Sequence, residues 1–212
     1  MGKIKISAAE KADPLIHPFE AGSGIEAGVD EVGRGCGAGP VVAAAVILPP
    51  KAKIPGLRDS KKLTASKRKE LSGKIRELAL DYSIAIATVE EIDQINILEA
   101  TYLAMTRAIA QLKIKPDLLV IDGNRFKNQT GINHRTVVGG DDKVLSIAAA
   151  SVLAKTWRDA YMEELHIEFP QYDWINNKGY LSTKHRQACF THGLTPHHRK
   201  SFKGMTRQDD ET

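Results

Sequence analysis

Gly24-Ile-Glu-Ala-Gly-Val-Asp-Glu-Val-Gly-Arg-Gly-Cys-Gly-Ala-Gly-Pro40 decides the reading of this chain. A short β-type run ends on two adjacent carboxylates, Asp30 and Glu31. A loop with glycine at 33, 35, 37 and 39 follows, carrying the single Arg34. Then comes the most apolar run, residues 41–48, stopped by Pro49-Pro50. The pattern is strand, polar edge, tight loop, buried strand, and it predicts a hairpin. Neighbouring strand residues point to opposite faces, so Asp30 and Glu31 cannot both face one core. Two adjacent anions repel unless a cation sits near them. Glycines let backbone N–H groups approach a ligand, and open N–H groups bind anions. Carboxylates for a hard cation beside such a cradle suit phosphodiester chemistry.

Outward from that stretch, strands and helices alternate. Thr64 or Ser66 can cap a helix over 67–80, with Leu71, Ile75 and Leu78 at helical spacing. Residues 82–89 alternate like a strand. Residues 90–112 read as a helix with Ile95, Leu98, Tyr102, Met105 and Ile109 on one face, ended before Pro116. Residues 118–121 form an apolar strand delivering Asp122. After a loop and a short strand at 136–138, Gly139-Gly-Asp-Asp142 leads into a long helix to about residue 167. Its small side chains (Ser146, Ala148, Ala149, Ala150, Ser151, Ala154) allow close approach to a sheet. Residues 1–23 read as a tail or loose lead-in, 24–168 as the core and 169–212 as a helical segment with a basic end, frayed from 203. A mixed sheet with packed helices, an α/β domain, is the expectation.

The 212 residues carry a formal charge of +4 and a pI near 9.0. That balance is mild, but the charge is clustered. Residues 51–76 hold ten Lys/Arg against two acids, and residues 178–207 hold seven Lys/Arg and four His with no acid. Such clusters suit a polyanion, because neutralising phosphates releases counterions. Cys36 and Cys189 show no zinc spacing, which fits a reducing cytoplasm. No stretch reads as a signal peptide, and the apolar run is too short for a bilayer. A soluble protein is expected. His192, His197 and His198 lie in basic, solvent-like surroundings and are not expected to hold a metal.

Three carboxylate positions sit at strand ends or helix starts: Asp30-Glu31, Asp122, and Asp141 or Asp142. Singly, Asp122-Gly-Asn makes a good turn, and Asp141 or Asp142 a good helix cap. Together they suggest one acidic cluster at the strand ends. An oxygen-only donor set favours Mg²⁺ or Mn²⁺ over zinc. Two such ions can activate water and stabilise a leaving oxygen, so no covalent nucleophile is required. Walker and Rossmann glycine patterns are missing.

Several motifs, in one order, resemble those of bacterial ribonuclease HII: Gly28-Val-Asp-Glu-Val-Gly-Arg-Gly35 with Ala38-Gly-Pro40, Asp59-Ser-Lys-Lys-Leu63, Val120-Ile-Asp-Gly123, Ser146 to Lys155 with Arg158-Asp159, and Lys178-Gly-Tyr180 with His185. The resemblance covers about residues 24–202. It implies an RNase H-like fold, a five-stranded mixed sheet with helices on both faces plus a C-terminal helical segment. It implies cleavage of RNA in RNA–DNA hybrids and at single ribonucleotides in duplex DNA, leaving 3′-hydroxyl and 5′-phosphate ends. By the same resemblance Asp30, Glu31, Asp122 and Asp141 are the catalytic metal ligands, for two divalent ions, Mn²⁺ or Mg²⁺. Asp141 keeps the family's distance to the Ser146 motif, although Gly139-Gly140 replaces the usual Lys-Gly. Gly33, Arg34 and Gly35 resemble the loop that reads the ribose 2′-hydroxyl, and Tyr180 the aromatic that stacks on a sugar. Lys61, Ser151 and His185 would contact phosphates. Cys36 stands where the family often has proline.

Ribonuclease HIII, the related family to exclude, carries an extra N-terminal domain and lacks the loop arginine. Arg34, and the roughly 23 residues ahead of the first strand, set this chain apart from it. A structure-selective DNA nuclease would not need the Gly-Arg-Gly loop. A non-catalytic hybrid binder would not carry bare carboxylates facing a phosphate backbone. Nothing in the sequence suggests an obligate dimer.

Overall fold

The computed structural model describes residues 15–19, 21–22 and 24–205. Five strands form one mixed sheet in the order β3-β2-β1-β4-β5. They are β1 (Glu26–Val32), β2 (Val41–Ile47), β3 (Asp81–Ala87), β4 (Leu118–Asp122) and β5 (Asn133–Val137). β1, β2 and β3 pair antiparallel, whereas β4 joins β1, and β5 joins β4, in parallel. The expected hairpin across the glycine loop is present. The last strand starts earlier than its apolar content suggests, because Asn133, His134 and Arg135 pair with β4 through their backbone while Asn133 and Arg135 keep exposed side chains.

β2 is buried along its whole length. Its residues alternate between two cores, one on each face of the sheet. Val41, Ala43, Ala45 and Ile47 pack with α2 (Val89–Ala110), and Val42, Ala44 and Val46 with α1 (Ala65–Leu78) and α3 (Leu145–Glu168). Thr64 caps α1 by accepting from the Lys67 N–H, and Thr88 with Glu91 forms a capping box for α2. The small face of α3 lies directly against β1. A Cβ on Gly28 would collide with the Ser146 backbone, so glycine is what permits this approach.

α2 departs from its expected face. Asn96 has φ 67° and ψ 164°, which breaks the helical phase. Ile92 is buried before the break and Ala100, Ala104, Met105, Ala108 and Ile109 after it, while Ile95 and Leu98 are 38% and 44% exposed. A single helical period drawn through 95–109 cannot follow that reset.

The two ends also differ from expectation. Residues 1–14 and 206–212 lie outside the described residues. Residues 15–19 are not a loose lead-in. Ile16 bridges to Val144, its N–H donates to the Lys143 carbonyl at 2.8 Å, and the Phe19 N–H donates to Glu26 at 2.7 Å. Met205 is buried, against the expected fraying from 203. The C-terminal segment contains α4 (Trp174–Asn177) and α5 (Thr183–His192). It builds its own small core of Tyr172, Trp174, Ala188 and Cys189 against Met162 and Leu165 of α3.

Candidate active site

Asp30 and Asp122 follow the paired residues Val29 and Ile121 on neighbouring parallel strands, so both carboxylates emerge on the same sheet edge. They share the face that packs on α3, since Gly28, two residues before Asp30, abuts Ser146. Glu31 has the opposite parity and reaches the cluster from the other side, with Arg34 Nη1 3.3 Å from its Oε1. Asp141 sits in a 3₁₀ turn at Gly140–Asp142, just ahead of α3. That turn is tied to β4, because the Gly140 N–H donates to Asp122 Oδ1 at 2.7 Å. Of the two candidate aspartates, Asp141 is 7% exposed and faces the cluster, while Asp142 turns outward to pair with Lys62.

The electrostatics follow from four acids without a matching number of cations. Burial, then Glu31 and Asp122, push the Asp30 carboxyl well above the usual carboxylate range. Burial raises Glu31 also, and Arg34 opposes that rise. Asp141 is raised by burial, then by Asp59 and Asp122. Burial pulls the Lys61 ammonium down, but Asp141, Asp59, Asp30 and Asp122 outweigh it and raise it; its Nζ lies 3.7 Å from Asp141. A divalent cation relieves all of this, and the donors are oxygens only, which fits a hard ion such as Mg²⁺ or Mn²⁺.

The other expected contact residues divide. Tyr180 is 48% exposed and stands beside Gly35, whose Cβ, were there one, would be 3.8 Å from its ring. Arg34, Gly35 and Lys61 are exposed, whereas Gly33 is buried with its Cα facing Arg158. Ser151 does not present itself to a phosphate. Its hydroxyl is buried, shares a 2.9 Å hydrogen bond with Ser60 and lowers Asp30 by hydrogen bonding, so it forms the floor of the cluster. His185 is likewise corrected. It is fully buried and cannot reach a phosphate.

His185, Cys189 and His198 bring potential ligand atoms within 4.8 Å of one another, a tighter set than the carboxylates make. The solvent-like surroundings expected for the histidines hold for exposed His192 and fail for His198, which is fully buried. The hydrogen bonds nonetheless argue against an ion. The Thr195 N–H donates to His198 Nδ1 at 2.9 Å, so the proton of the neutral ring is on Nε2. Trp174 Nε1–H donates to His185 Nε2 at 3.1 Å, which makes that nitrogen an acceptor. His198 Nε2–H then has two acceptors in reach, Cys189 Sγ at 3.4 Å and His185 Nε2 at 3.1 Å, the latter shared with Trp174, and His185 Nδ1–H donates to the Tyr180 carbonyl at 2.9 Å. A metal-binding imidazole presents its second nitrogen as a donor to an acceptor. Here His198 presents an acceptor to a donor. The chain of bonds ends on the backbone of Tyr180.

Sequence reasoning missed Arg158, Arg199, Asp59 and Ser60. Arg158 lay inside a quoted motif without a role, and Arg199 inside a basic run indistinguishable from solvated charge. Asp59 accepts from the Lys61 N–H at 2.8 Å and adds its charge to the Asp141 side of the cluster.

A five-stranded mixed sheet with helices on both faces and carboxylates at adjacent strand ends defines a nuclease of the RNase H-like class. The family model for ribonuclease HII matches residues 27–205. Ribonuclease HII of Parabacteroides distasonis is 54% identical over 194 residues, covering 92% of this chain and 98% of that one. The Cytophaga hutchinsonii ribonuclease HII is 58% identical over 199 residues, with 93% and 98% covered. The crystal structure of ribonuclease H2 from Pyrococcus horikoshii aligns with TM-score 0.72 and 26% identity over 88% of this chain and 97% of that one. The chain belongs to the ribonuclease HII family, and is a type 2 ribonuclease H, an endoribonuclease dependent on a divalent cation. Among the described residues no helix is long and apolar enough to cross a membrane.

Proposed function

We propose that this chain hydrolyses the RNA strand of RNA–DNA hybrids and also incises duplex DNA at single embedded ribonucleotides, leaving 3′-hydroxyl and 5′-phosphate ends. The observation that carries the reading is the meeting of Asp30, Glu31, Asp122 and Asp141, from three separate parts of the chain, beside the exposed Arg34-Gly35 end of the glycine loop. These four carboxylates would hold two divalent ions, Mn²⁺ or Mg²⁺. Bound there, the ions would lower the pKa of an attacking water and offset charge on the leaving oxygen.

The chain's own groups do the rest. Ser151, backed by Ser60, lies against Asp30 and favours its ionised form. The Gly140 N–H fixes Asp122. Arg34 steers Glu31. The Arg34-Gly35 backbone meets the 2′-hydroxyl, the group that separates RNA from DNA, and Gly33 supplies the turn at φ +94°. Tyr180 offers a sequence-tolerant stacking face. Lys61 lies at the cluster's rim, where it can accompany a phosphate. We assign catalysis to residues 24–168 and duplex support to the segment after them, in a monomeric enzyme of the cytoplasm, where the two free cysteines stay reduced.

The test compares three duplexes: an RNA–DNA hybrid, DNA with one ribonucleotide, and all-DNA. The first two should be cut in a metal-dependent way. Asp122→Asn keeps the acceptor for the Gly140 N–H and so keeps the fold, but should cost on the order of 10³-fold in cleavage. Cleavage surviving in that variant, or an all-DNA duplex or junction cut at a comparable rate, would refute the reading.

A further inference from the structure

Beneath the glycine loop lie two arginines without an acidic partner. Arg158 and Arg199 are both fully buried, and no carboxylate among the described residues lies within ion-pair distance of either. A buried charge is costly unless other groups satisfy it. Here the satisfying groups are carbonyls. Arg158 donates to Ala38 at 2.8 Å, Pro40 at 3.1 Å and Lys178 at 2.8 Å. Arg199 donates from Nε to the Gly39 carbonyl at 2.9 Å and from Nη1 to Arg34 at 3.0 Å, and its backbone N–H donates to Gly37 at 2.8 Å. Its Nη2 is buried with no partner. Burial, then neighbouring Arg158, pull the Arg199 guanidinium down to about 10, so it remains charged at neutral pH.

The glycines make room for this arrangement. A Cβ on Gly33 would collide with the Arg158 side chain, and one on Gly179 would lie 2.6 Å from the Ala38 carbonyl oxygen. Only Gly35 faces outward, beside Tyr180. A trans peptide plane sets a carbonyl and the following N–H in opposite directions. Drawing the Arg34 carbonyl inward therefore turns the Gly35 N–H outward. That N–H has no acceptor among the described residues.

We propose that Arg199 is a positioning residue for ribose recognition: by holding the carbonyls of Arg34, Gly37 and Gly39 it aims the Gly35 N–H at the 2′-hydroxyl of a bound ribonucleotide. The proposal rests on the reading of the glycine loop given under the proposed function. Arg199 touches no substrate. It acts through the loop, and its unbalanced charge is held by the same carbonyls it orients. A lysine at this position keeps the charge but cannot grip Arg34 and Gly39 together.

The experiment measures kcat and KM on a one-ribonucleotide duplex, together with Ki of the all-DNA duplex of the same sequence as competitor. Wild type, Arg199→Lys and Arg199→Met are compared, with thermal melts of each. A lost or misaimed hydrogen bond should lower kcat/KM about tenfold or more, while Ki stays within about twofold. A purely structural arginine predicts parallel changes in kcat/KM and Ki, and that result, or no change in either, overturns the proposal. Amide exchange on the unmodified protein removes dependence on how the variants fold. The Gly35 amide should be protected by the one-ribonucleotide duplex and not by the all-DNA duplex. Equal protection by both overturns the proposal. A wild-type enzyme that cuts the two duplexes alike sinks the functional reading itself, which keeps the two failures apart.

Discussion

Asp30 and Asp122 stand side by side where the parallel pairing of β1 with β4 ends, one residue beyond the Val29–Ile121 pair, on the face that packs against α3. Nothing local brings them together; the β1–β4 register does. Like charges side by side, Asp30 buried and Asp122 half-buried, destabilise the cation-free fold, and the same feature would attract a divalent ion.

Asp30→Asn removes a carboxylate whose ionised form is disfavoured by burial and by Glu31 and Asp122. A raised carboxyl contributes stability that is present below its unfolded pKa and lost as pH rises through the folded value. Cation-free Asp30→Asn should therefore melt higher than wild type at neutral pH, by about 0.5–2 kcal/mol, and the gap should close as pH falls towards the ordinary carboxylate range. Added Mn²⁺ should raise the wild-type melting temperature and do less for the variant. A variant less stable than wild type without the ion contradicts this account.

Asp141 and Asp142 are neighbours with different duties. Asp141→Asn should lower both cleavage and cation affinity, by roughly 10–100-fold in affinity. Asp142→Asn removes a half-exposed pair with Lys62, of the kind that contributes about 0–1 kcal/mol, and should leave cleavage within a few-fold of wild type. Titration of each variant with Mn²⁺ and a rate measurement decide it; the reverse ranking would exchange the assignments.

Tyr180 is held by its backbone while its ring stays half exposed, because its carbonyl accepts from His185. Tyr180→Phe should keep most of the activity. Tyr180→Ala should weaken the enzyme by about 1–3 kcal/mol, the usual worth of one stacked ring, read as kcat/KM on the one-ribonucleotide duplex. Equal losses in the two variants would point to the hydroxyl rather than the ring.

His198 gives the fold an acid sensitivity. Burial first, then His185, hold its imidazole down to about 4. Between about pH 6.5, the unfolded value, and about 4 the unfolded chain binds a proton that the folded ring refuses, so stability falls as pH drops. The slope reaches about 1.4 kcal/mol per pH unit for one proton. The carboxylate cluster works in the opposite direction, so the informative quantity is the difference between wild type and His198→Asn in melts across that range. The difference should shrink steadily towards acid. Parallel curves would remove His198 from the account.

Much of the site was legible because its residues lie in short runs with strong local meaning. The β1 run ending in Asp30-Glu31, the glycine loop and the apolar β2 read directly as strand, turn and strand. The small face of α3 foretold its close seat on the sheet, and the structure places that seat at Gly28. The face of α2 was not legible, since Asn96 resets the phase within an otherwise regular pattern. Nor was the role of the basic C-terminal stretch. His185, His198 and Arg199 share composition with a solvated tail and are fully buried.

By itself, the amino-acid order determined the succession of elements, the mixed character of the sheet and which carboxylates were available, because periodicity, turn residues and donor chemistry act within a few positions. The resemblance already points to Asp141, and the tertiary structure supplies the physical reason by turning Asp142 outward to Lys62; only the tertiary structure decided that Arg158 and Arg199 lie beneath the loop rather than on the surface. Whether a charged side chain can be buried depends on carbonyls and N–H groups delivered from distant segments. Those partners exist only once the sheet register and the C-terminal packing have formed.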